Sequence, residues 1–411
     1  MSCLASRMPP SATRLPRRIL MLAVSLGALL SVAAGELSAQ TIARCGAGWL
    51  EKIDGYLVVH VKGTPYEMGY QQGALLKDHI RQSLDTLLNV KGDVTLVEYA
   101  GFKVKPRFLI ETIIEIQKPY VPKKYFEEMD GLAAGSGVSL KDVRMGNFLP
   151  ELFHCSGFAV MNSATKDGTL YHGRVLDYAC DWGLQDHAVI VVAEPDGEIP
   201  FVNVTYTGFI GCVTGMNAEH ISVGEMGGRG QGHWNGVPMS FLVREVLQTS
   251  RDFETAISVF RDNPRTCQYF YVVSDGETRQ AAGMEASWNV FRMIKPGQMH
   301  PLLPTPVADA ALLSAGDRYR ELVRRVKEQH GELTAESALR LMDRPVAMKS
   351  NLHNVLFEPM STKFWVANAS ADGKPAAEQK YFEFQLSELL DRKPDTSSPE
   401  IPLIVETAAK E

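Results

Sequence analysis

The sequence lacks several features that would direct it toward common functions. Its cysteines and histidines do not stand at metal-ligand spacing, and it has no glycine-rich phosphate-binding loop. The 411 residues carry a net charge of −6 without a basic block, which argues against a nucleic-acid partner. No repeat or low-complexity tract is present. We therefore expect no metal, no cofactor and no nucleic acid.

Long apolar runs are also missing, except near the N-terminus. There the basic stretch RLPRRIL precedes the apolar run ILMLAVSLGALLSVAA and the small residues of SAQ. This order predicts a signal peptide over residues 1–40. The alternative is an N-terminal membrane anchor, but the run is short for a span that needs about 20 residues. We expect a secreted or periplasmic protein.

Cysteines are few in the remaining chain, and their number is odd. An exported chain with paired thiols would leave at least one of them outside a disulfide. In an oxidising compartment the sequence leaves two disulfides open, Cys180 with Cys212 and Cys45 with Cys267. The remaining thiol, Cys155, lies in ELFHCSGFAV, where the character of the sequence changes.

Residues 60–150 read as mainly helical, and residues from 155 onward read as hairpins alternating with helix pairs. One helical face is marked at three-to-four spacing by Leu76, Ile80, Leu84, Leu87 and Leu88. Residues 295–310 read as a long surface loop rather than a domain boundary. The pattern predicts an α+β fold in which helices cover two sheets. We divide the chain into a helical prosegment (41–154) and one integrated catalytic part (155–411).

Cys155 opens the first predicted hairpin, and Arg174 and Asp177 lie on its return strand. The turn is marked by the Asp-Gly pair at 167–168. A hairpin brings its ends together, so Arg174 and Asp177 should return near Cys155. Positions 174 and 177 point to opposite faces of an ideal strand, so a bulge or the strand end must realign them.

No histidine is placed as a base for Cys155, because the adjacent His154 would point away on a strand. A base becomes available if the bond between His154 and Cys155 is cut. Cys155 then carries an α-amino group with a pKa of about 8, which can accept the thiol proton.

With these residues the sequence resembles the penicillin acyltransferase (isopenicillin N acyltransferase) family of self-cleaving cysteine Ntn-hydrolases. Choloylglycine hydrolases and acid ceramidase are more distant relatives. The resemblance spans residues 55–385. Its motifs are GTPYEMGYQQGALL, CSGFAVMNSATKDGTLYHGRVLDY, GFIGCVTGMNAEHISV, GVPMSFLVREVL, SDGE, GMEAS and NVLFEP.

The resemblance implies a four-layer αββα sandwich of antiparallel sheets and a cleavage site between His154 and Cys155. By position it makes Cys155 the nucleophile, Arg174 the arginine near it, and Asp177 the aspartate that binds the released amino group. It implies that the two chains of the precursor stay associated.

The sequence departs from the family at three places. His154 replaces a glycine, the Thr-Asn-His motif is replaced by GQMHPLLP, and a late arginine is missing near VAMKSN. Candidate oxyanion donors are Asn354, Asn217 and backbone N–H groups. Glu225 is a candidate for substrate contact, and Trp234 is either an acyl-chain contact or a core aromatic.

The main hypothesis is an exported Ntn-hydrolase that acts on small-molecule or lipid acyl amides through a Cys155 thioester, as amidohydrolase or acyltransferase. A lipid-directed acyl hydrolase of the same fold is the first alternative. A non-catalytic binding protein that retains the fold is the second.

Overall fold

The computed structural model describes residues 39–405 except 92–96, 100–101, 105, 149–154, 179 and 229–231, with only the backbone described at 90–91, 97–99, 102–104 and 106. The described residues form one compact unit. The predicted signal peptide and His154 lie outside the described residues. Two large sheets dominate the described part.

The large sheet has eleven described strands, in the order β14-β13-β12-β11-β10-β9-β8-β3-β2-β1-β19. Its strands are β1 (Ala39–Cys45), β2 (Gly48–Ile53), β3 (Tyr56–Gly63), β8 (Ala188–Pro195), β9 (Phe201–Tyr206), β10 (Thr214–Asn217), β11 (Ile221–Gly227), β12 (Gln268–Asp275), β13 (Gln280–Ser287), β14 (Phe291–Ile294) and β19 (Glu400–Ile401).

The small sheet has six described strands, in the order β15-β6-β7-β16-β17-β18. They are β6 (Ser156–Asn162), β7 (Gly168–Asp177), β15 (Ala310–Leu313), β16 (Asn351–Glu358), β17 (Lys363–Asn368) and β18 (Phe382–Gln385). A separate short hairpin is formed by β4 (Val97–Tyr99) and β5 (Phe102–Val104).

Helices cover the outer faces of both sheets. The prosegment contains α1 (Pro65–Leu75), α2 (Lys77–Asp85), α3 (Pro106–Gln117), α4 (Lys123–Ser136) and α5 (Leu140–Asn147). The chain from residue 155 onward contains α6 (Met239–Thr249), α7 (Phe253–Asp262), α8 (Gly316–Glu328), α9 (Ala335–Leu341) and α10 (Leu386–Asp391). Helices α1, α6 and α7 contact the large sheet, and α8 and α9 contact the small sheet. The predicted αββα layering is therefore confirmed.

The sheets are not antiparallel throughout. β3 pairs with β8 in parallel, and β1 pairs with β19 in parallel. Each parallel pair joins segments far apart in sequence, and a hairpin signal cannot reveal such pairs. The other strand pairs of both sheets are antiparallel, as the resemblance implies.

Close backbone packing explains the glycine spacing of the prosegment. A Cβ atom at Gly69 of α1 would lie 1.9 Å from the carbonyl oxygen of Glu128 on α4, and one at Gly131 would lie 2.0 Å from that of Tyr66. Gly73 and Gly135 meet backbone at 2.6 and 2.3 Å in the same way. The two helices can therefore cross in backbone contact only because these four positions lack side chains.

The predicted apolar face of the prosegment is confirmed. Its marker leucines and isoleucine are all buried, with exposed fractions of at most 3%: Leu76, Ile80, Leu84, Leu87 and Leu88. The apolar core between the two sheets includes Val58, Ile190, Val355 and Phe357. One end of this sandwich, where β6 begins and β7 ends, holds the candidate site.

Candidate active site at Cys155

Cys155 immediately precedes β6 and lies in a cavity of about 200 Å³. We call this the Cys155 cavity; it is lined by Cys155, Met226, Gly227, Gly228, Gln268, Phe270, Leu302, Leu303, Leu313, Ser314, Ala315, Gly316 and Arg318. The side chain is 5% exposed. The cysteine is thus at the start of a sheet strand and borders a space that a small molecule can enter.

The register of the β6–β7 hairpin shows which face each residue occupies. Gly157 pairs with Arg174 and Ser156 pairs with Val175. One step further, this register sets Cys155 opposite Leu176. Cross-strand partners share a face, and alternate residues along a strand share a face. Cys155 and Arg174 therefore lie on the same face, and Asp177 lies on the other.

Contacts with neighbouring elements identify the two faces. The Arg174 side chain lies against Gly224 of β11 in the large sheet. Its Nη2 lies 3.4 Å from Oε2 of Glu225, and both side chains have no exposed surface. We call this the sheet-side face. The pair sits between the sheets, so Glu225 is the buried partner of Arg174 and does not line the Cys155 cavity.

Asp177 faces the opposite way, toward helix α8, on what we call the helix-side face. One carboxylate oxygen accepts a hydrogen bond from Nη1 of Arg318, and the other accepts the backbone N–H of Met348 at 2.9 Å. Burial raises the pKa of Asp177 to about 6, and the nearby Arg318 opposes this rise without cancelling it. The strand end does not realign Asp177 with Arg174.

Arg318 connects Asp177 to the cysteine across the end of the sheet. Its Nη2 donates to the carbonyl oxygen of Cys155 at 3.2 Å, while Nη1 binds Asp177. Arg318 lies in the first turn of α8 and also lines the Cys155 cavity. Arg318 thereby places a positive charge beside the backbone of Cys155, at the edge of the cavity.

Sequence reasoning missed Arg318. The family's late arginine is expected near VAMKSN, whereas Arg318 stands earlier, in SAGDRYREL at the start of a helix. The sequence feature that points to Arg318 is an arginine in the first turn of an amphipathic helix that directly follows a sheet strand. Only the fold brings it to Cys155, because 163 positions separate the two residues in sequence.

Asn217 is engaged in a turn rather than in the cavity. Its Nδ2 donates to the carbonyl oxygens of Leu247 and Ser250 at 3.1 and 2.9 Å. Its Oδ1 accepts the backbone N–H groups of Glu219 and Ile221 at 3.1 and 2.9 Å. This geometry supports the connection between β10 and β11, and Asn217 is not among the residues that line the Cys155 cavity.

Asn354 is also bound away from the cysteine. Its Nδ2 donates to the hydroxyl of Tyr381 and its Oδ1 accepts from Nδ2 of Asn351, both at 2.9 Å. Backbone N–H groups therefore remain the sequence-based candidates for an oxyanion donor. The backbones of Gly227 and Gly228 border the Cys155 cavity.

A second cavity, of about 120 Å³, lies at the same end of the sandwich. It is bordered by Leu176, the register neighbour of Cys155, and by Trp234. Phe148 and Gly146, which precede Cys155 in the chain, line it together with Tyr206 and Met239, which follow Cys155. This second cavity is therefore built by both segments of the chain.

The other expectations concern thiols, metals and membranes. Cys45, Cys180, Cys212 and Cys267 form no disulfide, so neither open pairing is present. Within the described ranges, no cluster of three or more histidine, cysteine or acidic side chains could hold a metal ion. Over the same residues, every helix is too short or too polar to cross a membrane.

Comparison with known proteins connects this geometry to a family. The family model "Acyl-coenzyme A:6-aminopenicillanic acid acyl-transferase" matches residues 163–298. Protein dcd1A of Dictyostelium discoideum is 30% identical over 61% of this chain and 63% of its own length. Protein dcd1B of the same organism is 24% identical over 83% of this chain and 76% of its own length.

The chain is also similar to the N-acylethanolamine-hydrolyzing acid amidase of Cavia porcellus, at 28% identity over 45% of this chain. The match spans 54% of that amidase. The predicted resemblance to the penicillin acyltransferase family is thus confirmed, and the chain fits the Ntn-hydrolase family of acyl amidases and acyltransferases.

Proposed function

We propose that the chain is a self-cleaving amidohydrolase or acyltransferase whose nucleophile is the Cys155 thiol. One observation carries the proposal: Arg318 binds the Cys155 carbonyl and the Asp177 carboxylate together, at the edge of a cavity. A nucleophile needs a charged group that activates it and a space for the substrate. Cys155 has both nearby, and its position in the chain leaves its nitrogen available after cleavage.

Maturation would begin with attack of the Cys155 sulfur on the carbonyl carbon of His154. The peptide C–N bond breaks as the C–S bond forms, and the nitrogen takes up the proton of the thiol to become the α-amino group. Water then hydrolyses this thioester, which leaves a carboxylate on His154 and a thiol on Cys155. The products are the prosegment and a catalytic chain that begins with Cys155.

The released amino group would serve as the base in turnover. An α-amino group has a pKa of about 8, so it can accept the thiol proton near neutral pH. Asp177 is the carboxylate assigned to hold this amino group, and Arg318 links it to Cys155. Arg174 and Glu225 would support the nucleophile strand from the sheet-side face.

Each turnover would transfer the acyl group of an amide to the Cys155 sulfur. The α-amino group takes the thiol proton and delivers it to the departing amine as the C–N bond breaks. Water or a second amine then attacks the thioester and restores the thiol. Water as acceptor gives an amidohydrolase, and an amine as acceptor gives an acyltransferase.

The two cavities suggest how an acyl amide would lie. The second cavity contains Leu176, Trp234 and Phe148, which are suited to an apolar acyl chain. The Cys155 cavity carries the polar groups of Gln268, Ser314 and Arg318, which are suited to the amine side. N-acylethanolamines, named as substrates of the similar acid amidases, have this combination of an apolar acyl chain and a small polar amine.

The prosegment would remain bound after cleavage. Glu128 of α4 and Arg244 of α6 form a buried ion pair, with Oε2 and Nη2 2.9 Å apart. The hydroxyl of Tyr125 on α4 donates to Gln248 on α6 at 3.0 Å. Separating the segments would expose one wall of the second cavity, including Phe148, to water, so burial of this apolar surface favours association.

A panel of acyl amides and esters tests the proposed reaction. We expect release of free amine from N-acyl amides and, after a brief reaction quenched in acid, an acyl adduct on the peptide that begins with Cys155. Hydrolysis of esters alone would favour the lipid-directed alternative. A folded protein that binds the amides without acylation of Cys155 would favour the non-catalytic alternative.

Export is a separate part of the proposal. We propose that residues 1–40 direct the chain to the periplasm or out of the cell and are then removed. Fractionation of the native host should find the protein there, with an N-terminus close to residue 41. A cell-associated chain that retains residues 1–40 would favour the membrane-anchor alternative.

A further inference from the structure

One amide side chain of the second cavity is buried without using its acceptor. Gln117, the last residue of α3, lines this cavity and is 3% exposed. Among the residues that the structure describes, none donates a hydrogen bond to its Oε1. The side chain also does not cap the 3-10 turn that follows it, Lys118–Tyr120. Gln117 therefore brings to the cavity wall a hydrogen-bond acceptor that the fold itself leaves unused.

A second amide of the same wall shows the contrast. Asn147 also lines the second cavity, but its Nδ2 donates to the carbonyl oxygens of Val143 and Gly208 at 3.0 and 2.9 Å. Its Oδ1 accepts the backbone N–H of Ile210 at 2.8 Å. Asn147 is thus held by the fold, whereas burial of the Gln117 acceptor without a partner costs free energy. A ligand group that donates a hydrogen bond to Gln117 would remove this cost.

An unused acceptor is not a binding site by itself, as a second buried glutamine shows. Gln72 of α1 is 4% exposed, and no described residue donates to its Oε1 either. Gln72 is not among the residues that line the second cavity, so a ligand in that cavity does not contact it. The cavity is what gives the acceptor of Gln117 access to a ligand.

The rest of the wall and the volume of the cavity restrict what this ligand is. Apolar side chains border the cavity, including those of Leu184, Phe209 and Val213. Its volume of about 120 Å³ is close to that of a roughly 150 Å³ cavity that takes up benzene, so a group of about six carbons fits. The wall thus suits a short apolar chain that carries one hydrogen-bond donor.

We propose that Gln117 determines acyl-side specificity by accepting a hydrogen bond from a hydroxyl group on a short acyl chain. This inference rests on the proposed function of Cys155 and on the placement of the acyl chain in the second cavity. A hydroxyl both donates and accepts, so it pairs with Gln117 whichever way the amide is turned. A methyl group in its place leaves the acceptor without a partner. The specificity residue would then lie in the prosegment, across the cleaved bond from the nucleophile.

Pairs of acyl 4-nitroanilides test the proposal, one with a terminal hydroxyl group and the other with a methyl group in its place. A series of chain lengths around six carbons locates the length at which the hydroxyl meets Gln117. Because kcat/KM includes only the steps up to release of 4-nitroaniline, hydrolysis of the different acyl-enzymes does not enter the comparison. At that length the wild type should prefer the hydroxyl compound by about tenfold, which corresponds to one net hydrogen bond. Gln117→Leu should abolish this preference.

Gln72→Leu is the matched control, because it removes an equally buried glutamine of the prosegment that does not line the cavity. It should keep the wild-type ratio. Denaturant titration gives an independent reading: Gln117→Leu removes a buried acceptor without a partner, so its unfolding midpoint should equal or exceed that of the wild type.

Three results would overturn the proposal. The first is an unchanged ratio in Gln117→Leu, and the second is a wild type without a hydroxyl preference at any length. The third is loss of the preference together with a lowered unfolding midpoint, which would give Gln117 a structural role.

Failure of the underlying reaction would be recognised separately, because the wild type would then hydrolyse neither compound of any pair. In that case the two compounds are compared as ligands by calorimetry. Tighter binding of the hydroxyl compound that is lost in Gln117→Leu and kept in Gln72→Leu supports the role of Gln117. Equal affinities, or no binding of either compound, would overturn it.

Discussion

The two faces of the β6–β7 hairpin carry charged side chains in opposite settings. On the sheet-side face, Arg174 and Glu225 form an ion pair with no exposed surface between two sheets. On the helix-side face, Arg318 retains 14% exposure, binds Asp177 and borders the Cys155 cavity. The difference indicates that the sheet-side pair supports the strand, whereas the helix-side pair can take part in reactions at Cys155.

Removal of the nucleophile should have the largest effect. Cys155→Ala should lower amide turnover by roughly 10⁴-fold or more, because no other group can form the acyl-enzyme. Cys180→Ala is the matched control, since Cys180 lies outside the Cys155 cavity, and it should keep wild-type rates. Turnover by Cys155→Ala within tenfold of the wild type would contradict the assignment.

Breaking the sheet-side pair should mainly lower stability. Arg174→Met leaves the Glu225 carboxylate buried without its counter-charge, so the free energy of unfolding should fall by about 3–5 kcal/mol. Denaturant titration measures this loss. The double variant Arg174→Met, Glu225→Met should recover a large part of it, because it removes both charges. A single variant as stable as the wild type would show that the pair is not the support we infer.

Breaking the helix-side pair should mainly lower the rate. Arg318→Met should reduce both self-cleavage and amide turnover by about a hundredfold, comparable to the loss of one charged or hydrogen-bonding group that stabilises a transition state. Arg324→Met, on an exposed part of the same helix, is the control and should leave both rates unchanged. If Arg318→Met and Arg174→Met had equal rates, the contrast between the two faces would not hold.

The titratable groups on the two faces should change the free energy of unfolding in opposite directions as the pH changes. On the sheet-side face, burial lowers the pKa of His172 to about 3 from 6.5, so the folded state binds fewer protons between these values. Its stabilising contribution is present above pH 6.5 and is lost as the pH falls, by about 1.4 kcal/mol per pH unit. The pKa of Asp177 is raised from 3.8 to about 6. Its contribution is present below pH 3.8 and is lost as the pH rises through 6.

Denaturant unfolding at several pH values between 4 and 6 measures how the free energy of unfolding changes with pH. Cys155→Ala, which cannot cleave itself, is the parent protein for both variants. His172→Gln should tilt the stability profile toward lower stability at higher pH, because only the Asp177 contribution remains. Asp177→Asn should tilt it the other way. Parallel profiles for the parent and both variants would show that neither group titrates as its burial requires.

Local patterns were enough to predict much of the fold. The leucines at three-to-four spacing marked a buried helical face, and the Asp-Gly pair at 167–168 marked the turn between β6 and β7. The parallel pairings of β3 with β8 and β1 with β19 were not predicted, because their partners are distant in sequence. Residues 295–310 were predicted as a surface loop, yet His300 and Leu303 within them are buried beside the cavity.

The sequence predicted the part of the candidate site that lies on the β6–β7 hairpin and not the residues that other elements contribute. We expected a bulge or the strand end to bring Arg174 and Asp177 to one face, whereas the structure keeps them on opposite faces. Arg318 escaped prediction because its partner Cys155 is distant in sequence. Asn217 and Asn354 were candidate oxyanion donors because asparagine carries an amide N–H. Residue type alone does not show that these amides already donate hydrogen bonds to Leu247 and Tyr381.

The intact mass of the purified wild-type protein tests the central claim most directly. If Cys155 becomes an N-terminal nucleophile, denatured protein should separate into two chains, and the larger should have the mass of residues 155–411 with cysteine as its first residue. A single chain that still contains the bond between His154 and Cys155 after prolonged incubation at several pH values would contradict the account.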